Sequence, residues 1–157
     1  MSLQYSSMMN SMKLATILMW FLINTTLSGQ EYWQSAEGPY GGPIDCVVYN
    51  SFDEAFAFTH WGGLFYSNNH GDSWVKRGDI AATKAVIDTN DVIITNEPYN
   101  TSIDRSEDGG VTWTRYTNII PANRVFALAI NSANVLFAGT NDKGMFRSWD
   151  GGATWDS

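Results

Sequence analysis

Several residue types that carry chemistry are scarce in this 157-residue chain. A single cysteine excludes a disulfide framework and an all-cysteine metal site within one chain. The chain has only two histidines, His60 and His70, so we predict no zinc site and no cofactor. Nine lysines and arginines stand against sixteen acids, giving a net charge of −7. That balance disfavours nucleic acid and anionic membranes as partners, because both attract clusters of basic residues.

The apolar residues form no run long enough to span a bilayer, which takes about 20 of them. Lys13 is followed by the uncharged segment Leu14–Ile23 and then by small polar residues as far as Gly29. This pattern predicts a signal peptide over residues 1–29, with translation starting at Met1 or at Met12 and cleavage after Gly29. A buried amphipathic segment is the alternative. The signal peptide predicts a secreted protein, extracellular or periplasmic, whose mature part is residues 30–157.

An eight-residue pattern, Ser-x-Asp/Asn-x-Gly-x-Ser/Thr-Trp, occurs three times, at Ser67–Trp74, Ser106–Trp113 and Ser148–Trp155. Trp33 extends the series without the preceding residues, and the four tryptophans are separated by 41, 39 and 42 positions. The Asp or Asn can accept backbone N–H groups that close a turn, and the Gly permits a positive φ. We therefore assign turn structure to the shared residues: Ser67, Asn69, Gly71, Trp74, Ser106, Asp108, Gly110, Trp113, Ser148, Asp150, Gly152 and Trp155.

Three short runs rich in β-branched and aromatic residues precede each copy of the pattern. The runs are 44–49, 55–59 and 63–67, then 84–88, 91–95 and 102–106, then 125–130, 134–138 and 144–148. Cys46 lies in the first run and is predicted to be a buried small hydrophobe rather than a reactive thiol. After residue 30 no segment shows helical periodicity. About four strands in each repeat of about 40 residues predict an all-β propeller of four-stranded antiparallel blades, with about three blades present and the ring incomplete.

The pattern resembles the Asp-box of the BNR, or sialidase-like, repeat families over the whole mature chain. These families include sialidases, xyloglucanase-like glycosidases, sortilin-type receptors and photosystem II assembly factors. The resemblance implies that the boxes are structural and lie away from any active site. About three blades are fewer than the four to eight of a closed ring, so we expect the chain to be the N-terminal part of a longer propeller. Assembly of several copies into a ring is the alternative.

Ligand-binding residues are expected at the end of each blade opposite the boxes, because successive turns of a blade alternate between its two ends. Aromatic faces beside amides and carboxylates suit sugars or peptides. The candidates are Tyr40, His60, Trp61, Tyr99, Asn100, Asn141 and Asp142. No catalytic residue is assigned. His60 stands where the resemblance to xyloglucanases places a catalytic Asp, and no sialidase-like arginine cluster is identifiable.

Two functions therefore stay open. The first is a module that binds a protein or a carbohydrate. The alternative is the N-terminal part of a glycoside hydrolase, sialidase- or xyloglucanase-like, whose catalytic residues lie outside this chain.

Overall fold

A computed structural model describes residues 38–97 and 99–157. The predicted signal peptide over 1–29 and Trp33 lie outside this range. The described residues form eleven β-strands and contain no helix. Among them there is therefore no helix that could span a membrane. The all-β fold class predicted from the sequence is confirmed.

The strands form three antiparallel sheets in which each strand pairs with the next one along the chain. The first sheet contains β1 (Ile44–Tyr49), β2 (Ala55–Thr59), β3 (Gly63–Ser67) and β4 (Val75–Gly78). The second contains β5 (Lys84–Ile87), β6 (Ile93–Asn96), β7 (Ile103–Ser106) and β8 (Thr114–Tyr116). The third contains β9 (Val125–Ile130), β10 (Leu136–Thr140) and β11 (Met145–Ser148), with Asp156 bridging to Arg147 where a fourth strand begins.

The hydrophobic core lies between successive sheets. Phe56, Phe58 and Leu64 of the first sheet pack with Ile93 of the second, and Trp113 contacts this cluster from the turn before β8. A second cluster joins the second and third sheets in the same way, with Trp155 against it; its buried members are Val92, Ile94, Ile103 and Leu136. Each of these two tryptophans therefore packs its indole against the sheet before its own. Burial of a ring of this size dominates the energy of such a contact.

Two kinds of turn share one end of the sheets, which we call the turn end. One is the eight-residue turn between the third and fourth strands of each sheet. The other is a five-residue turn between the first and second strands, at 50–54, 88–92 and 131–135. The opposite end, which we call the connection end, carries the turns between second and third strands and the links between sheets.

The five-residue turns repeat one hydrogen-bonding scheme that the sequence analysis did not find. The side-chain oxygen of the first residue accepts the N–H groups of the third and fifth, as Asn50 Oδ1 does from Phe52 (3.1 Å) and Glu54 (2.9 Å). Asp88 and Asn131 make the same pairs of bonds. The fourth residue has a positive φ in every copy: Asp53 (60°), Asp91 (61°) and Asn134 (58°).

These turns correct three strand boundaries. The run 84–88 was predicted to be strand as far as Asp88, but β5 ends at Ile87 and Asp88 begins the turn. The second strands of the second and third sheets were predicted to begin at Asp91 and Asn134, but β6 begins at Ile93 and β10 at Leu136. Both residues adopt the left-handed conformation that closes the preceding turn. Asp and Asn tolerate that conformation better than other residues with a Cβ.

The five-residue turns also join neighbouring sheets. Asp91 accepts hydrogen bonds from the N–H and the Oγ of Ser51, both at 2.7 Å. Asn134 accepts the N–H of Thr89 at 3.0 Å, and its Nδ2 donates to the Thr89 hydroxyl at 2.8 Å. In both cases the side chain of the fourth residue of one five-residue turn accepts a hydrogen bond from the second residue of the five-residue turn in the preceding sheet.

Candidate functional site

The eight-residue turns are closed by hydrogen bonds that their own side chains make within the turn. Ser106 Oγ donates to Asp108 at 2.8 Å and accepts the Gly110 N–H at 2.8 Å. The carboxylate of Asp108 accepts the backbone N–H of Val111 (3.0 Å) and both the N–H and the hydroxyl of Thr112 (2.8 and 2.6 Å). Asp150 is held in the same way by Ser148 and Thr154. These acids close turns and leave no carboxylate oxygen directed at a site.

Hydrogen bonds fix the charge of Asp108. The bonds from the Thr112 side chain and backbone, with smaller contributions from Ser106 and Val111, lower its pKa from 3.8 to about 2. The carboxylate is therefore ionised at every physiological pH and is a poor proton donor.

The first turn differs from the other two in two contacts. Asn69 takes the place of the acid, accepts the Ser73 N–H at 3.0 Å and donates to the Ser73 hydroxyl at 2.8 Å. Trp113 and Trp155 donate their indole N–H to the carbonyls of Gly110 and Gly152. The buried Nε1 of Trp74 has no partner among the described residues.

The connection end carries the candidate ligand-binding residues. In the first sheet the loop before β1 and the β2–β3 turn lie against each other. A Cβ on Gly42 would sit 2.6 Å from Cε3 of Trp61, so the indole rests directly on the glycine backbone. Trp61 remains 78% exposed and Tyr40 79%. The structure thus brings two aromatic side chains to adjacent loops with most of their surface in solvent.

His60 is positioned rather than free. Its Nδ1 lies 3.0 Å from Oδ2 of Asp45, and its backbone N–H donates to the Pro43 carbonyl at 2.9 Å. The Trp61 ring packs edge-on against the imidazole, with the two centroids 5.0 Å apart. Asp45, the residue before Cys46 on β1, was not among the candidates predicted from the sequence. The pair supplies a carboxylate and an imidazole beside the exposed Trp61.

A second group of candidates lies around the link between the second and third sheets. Tyr99 is 68% exposed, and the guanidinium of Arg124 lies 4.8 Å from its ring centroid. The same guanidinium is 5.2 Å from the ring of Phe126, which is also exposed. Among residues 38–97 and 99–157, no carboxylate forms a salt bridge with Arg124. Neither Arg124 nor Phe126 was singled out from the sequence, because nothing in their spacing marks them.

The remaining polar candidates hold loops. Asn100 Nδ2 donates to Glu97 at 2.6 Å, and its Oδ1 accepts the Ser102 N–H at 2.8 Å. Asn141 Oδ1 accepts the Arg124 N–H at 3.1 Å. Asp142 accepts both the backbone N–H and the Nδ2 of Asn123, at 3.2 and 2.9 Å. The side chains of Asn100, Asn141 and Asp142 were predicted to bind a ligand, and in the structure they form hydrogen bonds with neighbouring loop residues.

A shallow groove of about 310 Å³ lies beside this second group. It is lined by the link at Ile120–Asn123 and by Thr101, Asn118, Asp142 and Lys143. The groove is open and polar, whereas sites for small molecules are mostly enclosed and apolar. Its form suits an extended chain lying across a surface better than a buried small ligand.

Metal-binding groups are sparse in this part of the molecule. Within the described ranges, no three His, Cys, Asp or Glu side chains converge closely enough to hold a metal ion. Cys46 is half-buried against the first core cluster, and burial raises the pKa of its thiol to about 12. The thiol is therefore protonated at neutral pH, which makes it a weak nucleophile.

Solved structures supply the comparison. No family model matches the chain, and no curated protein matches its sequence. A structure described as YCF48 bound to D1 peptide matches 82% of this chain and 44% of its own length, at 11% identity and a TM-score of 0.61. The GH74 xyloglucanase from Xanthomonas campestris matches over 80% of this chain and 22% of its own length, at 22% identity and a TM-score of 0.59.

A GH74 enzyme from Niastella koreensis matches 81% of this chain at 19% identity, with a TM-score of 0.59. The chain spans less than half the length of each of these three proteins. At such identities the likeness concerns the fold alone, and it agrees with the three consecutive antiparallel sheets. By fold, the chain is part of a β-propeller.

Proposed function

We propose that this chain is a secreted Asp-box propeller segment that binds a protein or a glycan through its connection end. The observation that carries the proposal is the exposure of three aromatic rings, Tyr40, Trp61 and Tyr99, on the loops of that end. Exposed aromatic faces supply most of the binding energy in many protein interfaces and stack on sugar rings. Tyr40 and Trp61 are flanked by Gly41, Gly42 and Gly62, which have no side chains to cover the rings.

Two further observations support binding. One fold neighbour is described as bound to a peptide, which favours a polypeptide ligand at a propeller surface. Hydrogen bonds also lock Asn100, Asn141 and Asp142 into their loops, so the aromatic rings stand on a preorganised base. A rigid surface loses less conformational entropy when it binds.

The test compares two equally prominent indoles at opposite ends of the molecule. The full chain is screened on a glycan array and a peptide array, and the best ligand of each class is titrated. Trp61→Ala should weaken binding at least about tenfold, the usual effect of removing an aromatic anchor. Trp149, which is 66% exposed in the third eight-residue turn, gives the matched control Trp149→Ala, and that variant should bind normally.

Binding that survives both Trp61→Ala and Tyr99→Ala would eliminate this surface. The array that responds also decides between the two ligand classes, since the proposal predicts a response on at least one. Secretion is tested separately, by sequencing the N-terminus of the exported protein, which we expect to begin at Gln30.

The second candidate function is the N-terminal part of a glycoside hydrolase. The specific observation in its favour is the fold shared with GH74 enzymes, together with the Asp45–His60 pair beside Trp61. A hydrolase needs two carboxyl groups about 5–10 Å apart across the scissile bond. The Asp45–His60 pair supplies one carboxyl group, so in this candidate the other catalytic groups lie outside this chain. Release of reducing ends from xyloglucan by a protein that carries this chain together with the remaining blades of a propeller, and loss of that release on Asp45→Asn, would establish this candidate in place of the binding module.

A further inference from the structure

Arg124 is a cation that neighbouring loops hold in place at the link between the second and third sheets. Its backbone N–H donates to Asn141 Oδ1 at 3.1 Å, and its carbonyl accepts the Asn141 N–H at 3.2 Å. Its guanidinium lies 4.8 Å from the ring centroid of Tyr99 and 5.2 Å from that of Phe126. The two rings restrict the side chain, so the guanidinium loses little conformational freedom when it binds a ligand.

The guanidinium has lost part of its hydration without gaining a counter-charge. Its Nε is buried and has no hydrogen-bond acceptor among the described residues. In residues 38–97 and 99–157, Arg124 makes its hydrogen bonds through its backbone, and no carboxylate forms a salt bridge with its side chain. A partly desolvated cation attracts an anion more strongly than one in water, because the local dielectric constant is lower. The terminal nitrogens Nη1 and Nη2 are therefore the donors that a ligand can reach.

The groove of about 310 Å³ beside Arg124 carries a second cation. Lys143 lines this groove and is exposed, and no carboxylate of the described ranges forms a salt bridge with it. The Asp142 carboxylate also lines the groove and accepts two hydrogen bonds from Asn123. The whole chain has a net charge of −7, so two cations without acidic partners depart locally from its overall charge.

The surroundings of Arg124 favour a polypeptide over a carbohydrate. The guanidinium lies over the ring of Tyr99, so this ring positions the cation and has less of its face left for a sugar. Pro121 and Ala122 line the groove with apolar atoms, which suit the apolar side chains of a peptide. Because the groove is open, a chain can cross it and present an internal side chain to Arg124. The planar fork of a guanidinium matches the two oxygens of a carboxylate.

We propose that Arg124 anchors an aspartate or glutamate side chain of an extended polypeptide that crosses this groove. Nη1 and Nη2 donate in parallel to the two oxygens of that carboxylate, and Lys143 adds attraction at longer range. The inference rests on the proposed function as a binding module, and it narrows the ligand to an acidic polypeptide.

The test uses a peptide array of matched triplets that share the same uncharged flanking residues. The first peptide of each triplet has a central glutamate and a C-terminal amide, and the second has a central glutamine and the same amide. The third has the glutamine and a free C-terminal carboxylate. The triplet that responds most strongly is titrated against the full chain by fluorescence anisotropy. We expect the glutamate peptide to bind at least about tenfold more tightly than either glutamine peptide.

Variants then assign that preference to Arg124. Arg124→Gln should weaken binding of the glutamate peptide about tenfold, to the level of the glutamine peptide. Arg124→Lys should recover only part of the loss, because an ammonium group lacks the planar fork. The matched control is Arg147→Gln, which removes the same charge from a guanidinium 5.7 Å from the ring centroid of Trp149 and should leave the affinity unchanged.

Lys143→Gln provides a second variant at an exposed position, where a substitution leaves folding intact. It should weaken binding of the glutamate peptide about threefold at low ionic strength, and salt should remove that difference. Lack of this salt-dependent loss would contradict the proposal even if Arg124→Gln failed to fold.

Three results would overturn the proposal. The first is equal affinity for the glutamate and glutamine peptides, and the second is a preference for the free C-terminal carboxylate over the central glutamate. The third is an equal loss in Arg124→Gln and Arg147→Gln, which would indicate a general effect of net charge. A glycan whose binding is lost in Trp61→Ala and kept in Arg124→Gln would overturn this inference and leave the proposed function standing.

Discussion

Gly110 offers a direct measurement of how tightly neighbouring sheets pack. Its φ is +88°, and an added Cβ would lie 2.3 Å from Cδ2 of Leu64 in the preceding sheet. The left-handed conformation costs an alanine about 1–2 kcal/mol, and overpacking a core costs about 1–3 kcal/mol. We therefore expect Gly110→Ala to lower the free energy of unfolding by about 2–5 kcal/mol, measured by urea denaturation with tryptophan fluorescence.

Gly144 is the matched control for backbone strain. Its φ is +78°, but an added Cβ would meet no heavy atom within 4 Å. Gly144→Ala should therefore lower the free energy of unfolding only by the cost of the left-handed backbone, about 1–2 kcal/mol. The difference between the two variants isolates the contact between the sheets.

A double-mutant cycle identifies that contact. Leu64→Ala removes the atoms that the new methyl group of Gly110→Ala meets. The double variant should therefore lose less free energy of unfolding than the two single variants lose in sum. Equal losses for Gly110→Ala and Gly144→Ala, together with strict additivity in the cycle, would refute the argument that the turn packs on Leu64.

Three further predictions concern charged and reactive groups. Folding lowers the pKa of Asp108 to about 2, so the stability that the ionised carboxylate contributes is complete above pH 4 and is lost as the pH falls towards 2. Asp108→Asn should therefore flatten the decline of the urea midpoint over that pH interval. Arg115→Met should lower the free energy of unfolding by about 3 kcal/mol, because it leaves the buried carboxylate of Asp104 without the Nε that now donates to it at 2.7 Å. Adding Asp104→Leu should restore most of that stability, measured in a thermal melt. Cys46 should react with a thiol reagent at pH 8 only after unfolding, because burial raises its pKa to about 12; rapid labelling of the folded chain would contradict its packing against the core.

The sequence predicted most of the fold because the repeat supplies three independent views of each strand. The bounds of β1, β2, β3 and β9 agree with those expected from apolar runs flanked by turn residues. The missed feature was the five-residue turn, since Asn50, Asp88 and Asn131 are ordinary loop residues in the sequence. Their role depends on side-chain bonds to backbone N–H groups two and four residues ahead, which composition does not reveal.

The candidate site was predictable only in part. The alternation of turns indicated which loops share an end, and Tyr40, Trp61 and Tyr99 do lie exposed on those loops. Sequence could not show that Asn141 and Asp142 are held by hydrogen bonds to the neighbouring link, because those partners are 17 and 19 residues away. Nor could it identify Arg124, whose stacking on Tyr99 exists only once two loops are brought together.

The bond from Asp91 back to Ser51, repeated from Asn134 to Thr89, has an evolutionary consequence. Both junctions between described sheets use the same pair of turn positions, so the hydrogen bond does not depend on which of the two modules precedes it. Tandem duplication or loss of a whole module of about 40 residues would preserve this bond at the new junction. A gene built on this rule can change its repeat number in a single step.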